Sequence, residues 1–211
     1  MARVALRPEE IEAFRRRAAA AAMHLFAEQG YEAVTMRSLA DALGVSAMTP
    51  YRYLEGGKRE LFGLVRAEAF RRFADALEAA LARGGDVLAR LRRLKQAYVG
   101  FALEEPDAYR MMFELRGDDA DLPELTRESA RAFACLRRTV AEAVDAGELE
   151  GDALSLAHLF WASTHGLCSL HLAGRLSAGR SVGQLAALDH DLDGVRPRAT
   201  SPKTRKRRSK P

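Results

Sequence analysis

Apolar residues recur at three- and four-residue spacing along most of the chain, the period of one face of an α-helix. No alternating β-branched run of useful length breaks the pattern, so an all-α protein is expected. Over residues 9–29 the stripe is Ile11, Phe14, Ala18, Ala22, Leu25 and Phe26, and Gly30 fits a C-terminal cap. Thr35 is placed to cap a short helix, residues 36–43, ended by Gly44. Ser46 is placed to cap another, from 47 to about 54, broken by Gly56-Gly57. A long helix from 58 to about 82 follows, with Leu61, Phe62, Val65, Ala69, Phe73 and Leu77 on one side.

Gly84-Gly85 ends that helix, and residues 86–103 resume the period with Val87, Leu91, Leu94, Tyr98 and Phe101. Pro106 marks a break before a short helix, 107–115. Residues 117–121 read as an acidic loop. Pro123 suits the first turn of a helix running to about 146. Asp152 can cap a long helix to about 173, and a shorter one is expected over 182–188. The boundary between a small N-terminal unit and a larger helical body falls near Lys58: 1–58, then 59–195, then a basic tail, 196–211.

Charge is unevenly spread. The formal net charge is +4, but the tail alone carries eight cations from Arg196 to Lys210 and no acid. Everything before the tail is therefore mildly acidic, and a whole-protein electrostatic argument for nucleic-acid binding fails. A local one is needed. The tail is either a non-specific DNA tether or a plain solvated segment. No apolar run spans a bilayer. The start carries Arg3, Arg7, Glu9 and Glu10 rather than a secretory apolar stretch, so a cytoplasmic, reducing setting is expected for Cys135 and Cys168.

The local argument rests on residues 35–58. Two short helices joined by a tight turn form the layout of a helix-turn-helix, whose second helix enters the major groove. Leu25, Phe26, Val34, Leu39, Ala40, Leu43, Val45 and Leu54 form the expected inward set. The outward set, and the expected DNA contacts, are Thr35, Arg37, Ser46, Met48, Thr49, Tyr51, Arg52 and Lys58. Hydroxyls and cations suit phosphates, while Met48, Thr49 and Arg52 could reach base edges. Helix N-termini at Thr35 and Lys58 would add backbone donors.

Residues 11–62 resemble the DNA-binding domain of TetR-family regulators. The likeness lies in Ala18, Leu25-Phe26, Gly30-Tyr31, Thr35, Leu39-Ala40, Gly44-Val45-Ser46, Tyr51, Leu54, Lys58 and Leu61. It implies that Tyr51 and Lys58 contact phosphates and that the Ala47–Tyr53 helix enters the major groove. Two departures stand out. Pro50 occupies a position that is usually apolar, and Gly56-Gly57 moves Lys58 one residue beyond the commonest spacing. In the last long helix, Trp161, His165-Gly166 and Leu167, together with Glu105-Pro106, Tyr109 and Met112-Phe113, resemble a TetR subfamily named for a Trp-His-Gly motif. That resemblance implies a homodimer built from the last two long helices, 127–146 and 152–173.

The final long helix has two legible stripes. Leu154, His158, Trp161, His165, Cys168 and Leu172 lie on one; Leu159, Ala162, Gly166, Ser169 and Ala173 form a neighbouring small-residue face. An apolar effector would lie between the long helices, with Tyr98, Phe101, Met111, Met112, Phe113, Phe133, Trp161 and His165 as candidates. The same residues would also serve as ordinary core.

Other chemistry finds little support. His158, His165 and Cys168 lack a further ligand at a known metal spacing. Asp189, Asp191, Asp193 and Gly194 open like a calcium loop, but Thr200 stands where its closing Glu belongs. No Gly-rich phosphate loop or local nucleophile signature occurs, so no cofactor, metal or catalytic residue is expected. The expectation is a DNA-binding regulator that meets a palindromic double-stranded operator as a dimer. The competing classes are an enzyme or a helical protein-interaction module without DNA binding.

Overall fold

A computed structural model describes residues 7–113, 122–176 and 181–186. They form α1 (Pro8–Gln29), α2 (Met36–Leu43), α3 (Thr49–Tyr53), α4 (Gly57–Ala82), α5 (Val87–Glu104), α6 (Pro106–Phe113), α7 (Pro123–Asp145), α8 (Ala153–Leu172) and α9 (Val182–Ala186). No strand occurs among the described residues. The acidic loop at 117–121, the aspartates near Asp191 and the basic tail lie outside them.

Local chemistry fixes most boundaries. Thr35 Oγ1 accepts from the Ser38 amide at 3.1 Å, and Ser38 Oγ accepts from the Thr35 amide at 2.9 Å, so α2 begins with two donors satisfied reciprocally. It ends at Gly44, whose φ of 65° lies in the left-handed region that suits glycine. Asp86 and Asp152 cap α5 and α8 by accepting from Ala89 and Ser155, each at 2.8 Å.

The second helix of the pair differs from expectation. It begins at Thr49 rather than Ala47, and Ser46 is not its cap. Pro50 is the reason. In an α-helix the residue-50 amide would donate to the Ser46 carbonyl, and proline has no N–H. The Thr49 amide takes that carbonyl instead, at 2.8 Å, making a tighter turn through Ala47 and Met48. Pro50 itself is fully buried, in the place of an inward-facing apolar side chain.

α4 is the spine of the molecule. It packs against α1 on the N-terminal side and against α5, α6 and α7 in the body. One continuous apolar core runs from Phe14, Phe26 and Leu39 through Leu61, Val65, Phe73 and Leu77 to Tyr109, Leu125 and Cys168. A second cluster, including Leu91, Val140, Leu149 and Phe160, joins α5, α7 and α8. At Gly63 the start of α7 presses so closely on α4 that a Cβ would overlap the Leu122 side chain. Further along, Arg131 of α7 pairs with Asp75 and Glu78 of α4, each at 2.6 Å. The bonds from Arg131 hold the Glu78 carboxyl below its usual range.

α8 also departs from its expected faces. Leu156, Ala157, Phe160, Thr164 and Cys168 form its buried stripe. Of the predicted stripe only Cys168 is buried; Trp161, His165 and Leu172 are half-buried, and Leu154 and His158 are exposed. The helix is apolar nearly all round, so two stripes with similar spacing compete, and tertiary packing selects between them.

Candidate nucleic-acid interface and effector cavity

The α2–α3 pair presents a polar surface on an apolar base. Leu39, Ala40, Val34 and Leu54 are buried beneath it, while Leu25, Leu43 and Val45 are half-buried at its edge. Thr35, Arg37, Ser46, Met48, Tyr51 and Arg52 are exposed; Thr49 and Lys58 are half-buried. Met48 and Tyr51 are 68% and 53% exposed, unusual for large apolar side chains. Ser46 Oγ and Thr49 Oγ1 lie 2.8 Å apart, joining the turn to the first residue of α3. Tyr53, on the other side of α3, packs its ring against Phe14 at 5.2 Å and anchors the helix.

Lys58 is placed differently from its neighbours. Its Nζ donates to the Glu32 carbonyl at 3.2 Å and sits over the Tyr31 ring, 4.2 Å from the centroid. Tyr31 in turn packs edge-on against Phe62 at 4.9 Å. The ammonium thus braces the turn between α1 and α2. At the start of α4 the Gly56 amide donates to Glu60 Oε2 at 2.9 Å. Glu60 also pairs with Arg15 at 2.8 Å, and Arg15 reaches Glu124 of α7 at 3.5 Å. One cation therefore links α1, α4 and α7.

In the body a cavity of about 380 Å³ opens between α4 and α7. Arg66, Phe70, Phe73 and Leu77 line it from α4, and Leu125, Thr126, Ser129, Ala132, Phe133 and Leu136 from α7. Tyr98, Met112, Phe113 and Trp161 close the remaining walls. Of the residues expected from sequence, Tyr98, Met112, Phe113, Phe133 and Trp161 come together here. Phe101 and Met111 do not. Phe101 packs against Phe73 at 5.2 Å and is buried in the core, as is Met111.

His165 lies outside the lining, in a polar cluster that includes Tyr98. Its Nδ1 is 2.7 Å from Tyr109 Oη and 3.3 Å from Tyr98 Oη, and its Nε2 is 3.3 Å from Ser169 Oγ. The two hydroxyls are themselves 3.2 Å apart. Burial pushes both tyrosines well above their usual range, and it pushes the Cys168 thiol up to about 11. The two tyrosines and the thiol therefore stay neutral, and the tyrosine hydroxyls lie within hydrogen-bond reach of each other and of His165. His158 Nδ1 instead meets the Leu154 carbonyl at 2.8 Å. No group of three or more His, Cys, Asp or Glu that could hold a metal occurs among the described residues.

Comparison with known proteins decides what this arrangement belongs to. Residues 19–65 match the family described as bacterial regulatory proteins, tetR family. Residues 91–193 match a tetracyclin repressor-like C-terminal domain. The chain belongs to the TetR family. Among solved structures, a protein of unknown function from Rhodococcus sp. RHA1 has a TM-score of 0.76 at 27% identity, covering 87% of this chain and 95% of that one. The TetR family transcriptional regulator PfmR from Thermus thermophilus has a TM-score of 0.60 at 25% identity, covering 83% and 96%. A TetR family transcription regulator from Marinobacter aquaeolei VT8 shares the fold, with a TM-score of 0.69 at 23% identity over 91% and 100%. No curated protein matches at a significant level.

This TetR-family protein is a DNA-binding transcriptional regulator. Regulators of the family bind DNA and dimerise, and they are generally not enzymes. No helix among the described residues is long and apolar enough to cross a membrane. On the α8 surface of the regulator, Leu154, Leu159 and Leu170 are 50%, 55% and 49% exposed. Ala162 is exposed beside Leu159, and Gly166 and Ser169 are half-buried. Of the small face expected for close helix approach, Leu159 and Ala162 are thus exposed among the described residues, while Gly166 and Ser169 are partly covered.

Sequence reasoning missed several cavity residues, Arg66 above all. Its signal was present: Phe62, Arg66, Phe70, Phe73 and Leu77 recur at helical spacing, a lone cation within an apolar stripe. Phe70, Leu125 and Leu136 carried no signal beyond ordinary core periodicity.

Proposed function

We propose that this regulator is a ligand-responsive repressor that binds a palindromic operator as a homodimer. The N-terminal head, residues 1–58, reads DNA; the body, 59–195, dimerises and holds an apolar effector; the tail, 196–211, follows. Met48, Thr49 and Arg52 face base edges, and Thr35, Arg37, Ser46, Tyr51 and Lys58 face phosphates. The dimer forms through α7 and α8, the small face of α8 meeting its symmetry mate in a four-helix interface. The protein acts in the cytoplasm.

The observation that carries this reading is the double membership of α4. Its first turn carries Lys58, which meets Tyr31 and Glu32 of the head, and its middle forms one wall of the cavity through Arg66, Phe70, Phe73 and Leu77. An effector that pushes on that wall moves the helix to which the head is attached. Two heads held at one spacing fit successive major grooves, and an effector favouring another spacing lowers affinity by its preference for that state.

The test is selection of genomic fragments from the source organism by the purified protein. Recovery of fragments sharing an inverted repeat supports the reading. Fragments with no shared half-site, or none retained above background, contradict it.

A further inference from the structure

Aromatic rings dominate the cavity between α4 and α7. Six of its fourteen lining residues are aromatic, in a chain where aromatic residues make up 7%. They come from five helices: Phe70 and Phe73 from α4, Tyr98 from α5, Phe113 from α6, Phe133 from α7 and Trp161 from α8. Four of these rings form a continuous chain. Phe70 meets Phe113 at 5.6 Å, Phe113 meets Trp161 at 6.4 Å and Trp161 meets Phe133 at 5.4 Å, with interplanar angles of 78°, 53° and 44°. Phe73 meets Tyr98 edge-on at 4.9 Å. None of these pairs is stacked in parallel, so the walls offer ring faces and ring edges together. The Tyr98 hydroxyl is within reach of Tyr109 and His165, so its ring is what it offers the cavity.

The polar part of the lining is small. Arg66 is buried, donates to the Met112 carbonyl at 3.0 Å and lies 5.9 Å from the centroid of the Phe62 ring, so it stands as part of the wall. No Asp or Glu is among the described lining residues, so a cation would find no counter-charge. Thr126 and Ser129 lie one turn apart on α7, Thr126 exposed and Ser129 half-buried. Ser129 Oγ donates to the Thr126 carbonyl at 3.2 Å, which leaves its oxygen to accept from a ligand. From this lining we infer that the effector is a neutral, planar aromatic compound bearing a hydroxyl group. The inference rests on the effector reading above and adds the ring character, charge and orientation of the ligand. The ring system lies among Phe70, Phe113, Phe133 and Trp161, where faces meet edges; a saturated chain there gains burial alone. The hydroxyl points to α7 and donates to Ser129. A volume of about 380 Å³ lies toward the low end of ligand pockets, roughly 300–1,000 Å³, and suits roughly two or three rings.

The experiment titrates the full-length protein calorimetrically with 2-naphthol, decahydro-2-naphthol and 1-decanol, alcohols of equal carbon count, and with naphthalene and 2-naphthoate. The saturated alcohols are the more strongly expelled from water, so burial alone would rank them above 2-naphthol. The expected result is the reverse, with 2-naphthol tighter by about threefold or more, the worth of its ring contacts. Naphthalene should be weaker than 2-naphthol by about threefold for want of the hydrogen bond. 2-Naphthoate should be weaker by about tenfold, since its charge would be buried without a counter-charge. Phe133→Leu, at a half-buried position, should narrow the ring preference while leaving decahydro-2-naphthol affinity within about twofold. Ser129→Ala should bring 2-naphthol down to the level of naphthalene. A saturated alcohol that binds as tightly as 2-naphthol would overturn the inference while leaving an apolar effector site intact. Equal binding of naphthalene would overturn the hydroxyl assignment, and equal binding of 2-naphthoate the neutral charge. If no compound binds, the effector reading falls with it. The wild-type panel decides the question even if neither variant folds.

Discussion

Leu122, just before α7, lies against Gly63 of α4 with no room between them for a methyl group. Gly63 falls within the stretch that matches the family's N-terminal domain, and Leu122 leads into the body. The contact therefore ties the start of α7 to the helix that continues out of the N-terminal head. Gly63→Ala should gain up to about 1 kcal/mol of helix propensity and lose about 1–3 kcal/mol to overpacking. The net expectation is a lowered Tm. Adding Leu122→Ala to Gly63→Ala should recover part of the loss, a coupling that a thermal double-mutant cycle reads. Additive effects would mean the contact is not felt.

Lys58 separates bracing from DNA contact. Its ammonium already holds the Glu32 carbonyl and the Tyr31 ring. Lys58→Met should cost about 0.5–1 kcal/mol of stability through the lost cation–π contact. If the same ammonium also meets a phosphate, the slope of log affinity against log salt should shrink by about one. A lowered Tm with an unchanged slope would confine Lys58 to the head.

Thr49 and Arg52 should behave differently from Lys58. Arg52→Ala should cost about 1–3 kcal/mol at the operator and relax specificity at particular base pairs. Equal losses on operator and random DNA, read by competition binding, would show that Arg52 meets only phosphate.

Leu159 tests the dimer. It is more than half exposed on the small-residue side of α8, so Leu159→Glu should alter the stability of an isolated chain by no more than about 0.5 kcal/mol. In the proposed interface it buries two carboxylates near a symmetry axis, and sedimentation should show monomers with weakened operator binding. A variant that stays dimeric would place the interface elsewhere.

The buried acids set an alkaline limit. Burial raises the Cys168 thiol from 9.0 to about 11, and Cys135, Tyr98 and Tyr109 are raised for the same reason. Each folded-state value exceeds its unfolded one, so the stabilisation is complete below the unfolded value and fades as pH rises through the folded one. Tm should hold to about pH 8.5 and fall from about pH 9 toward 11. At about pH 8 a thiol reagent should titrate both cysteines in denaturant and neither in the native protein.

What could be read from sequence tracks how local the governing physics is. α2 was legible to the residue because Thr35, Ser38 and Gly44 settle its ends within the segment itself. The start of α3 was not, because one absent amide proton at Pro50 rearranges the preceding turn. On α8, two stripes of similar spacing were available, and only packing against α5 and α7 chooses Leu156–Phe160–Thr164 over Leu154–His158–Trp161. Tyr98, Met112, Phe113, Phe133 and Trp161, singled out by their residue type, do line one cavity, whereas Arg66 was hidden inside an apolar stripe. His165 was singled out as a lining residue; burial of Tyr109 draws it into the Tyr98–Tyr109 cluster instead.

The most direct test of the central claim, that the exposed α2–α3 surface reads DNA from a dimer, is the affinity of Tyr51→Ala for a selected operator fragment. Tyr51 is 53% exposed, so its loss should cost the fold little. The expected result is an unchanged dimer mass and Tm with affinity reduced about tenfold, the loss of one phosphate contact and its positioning. Full operator affinity in the Tyr51→Ala dimer would contradict the account.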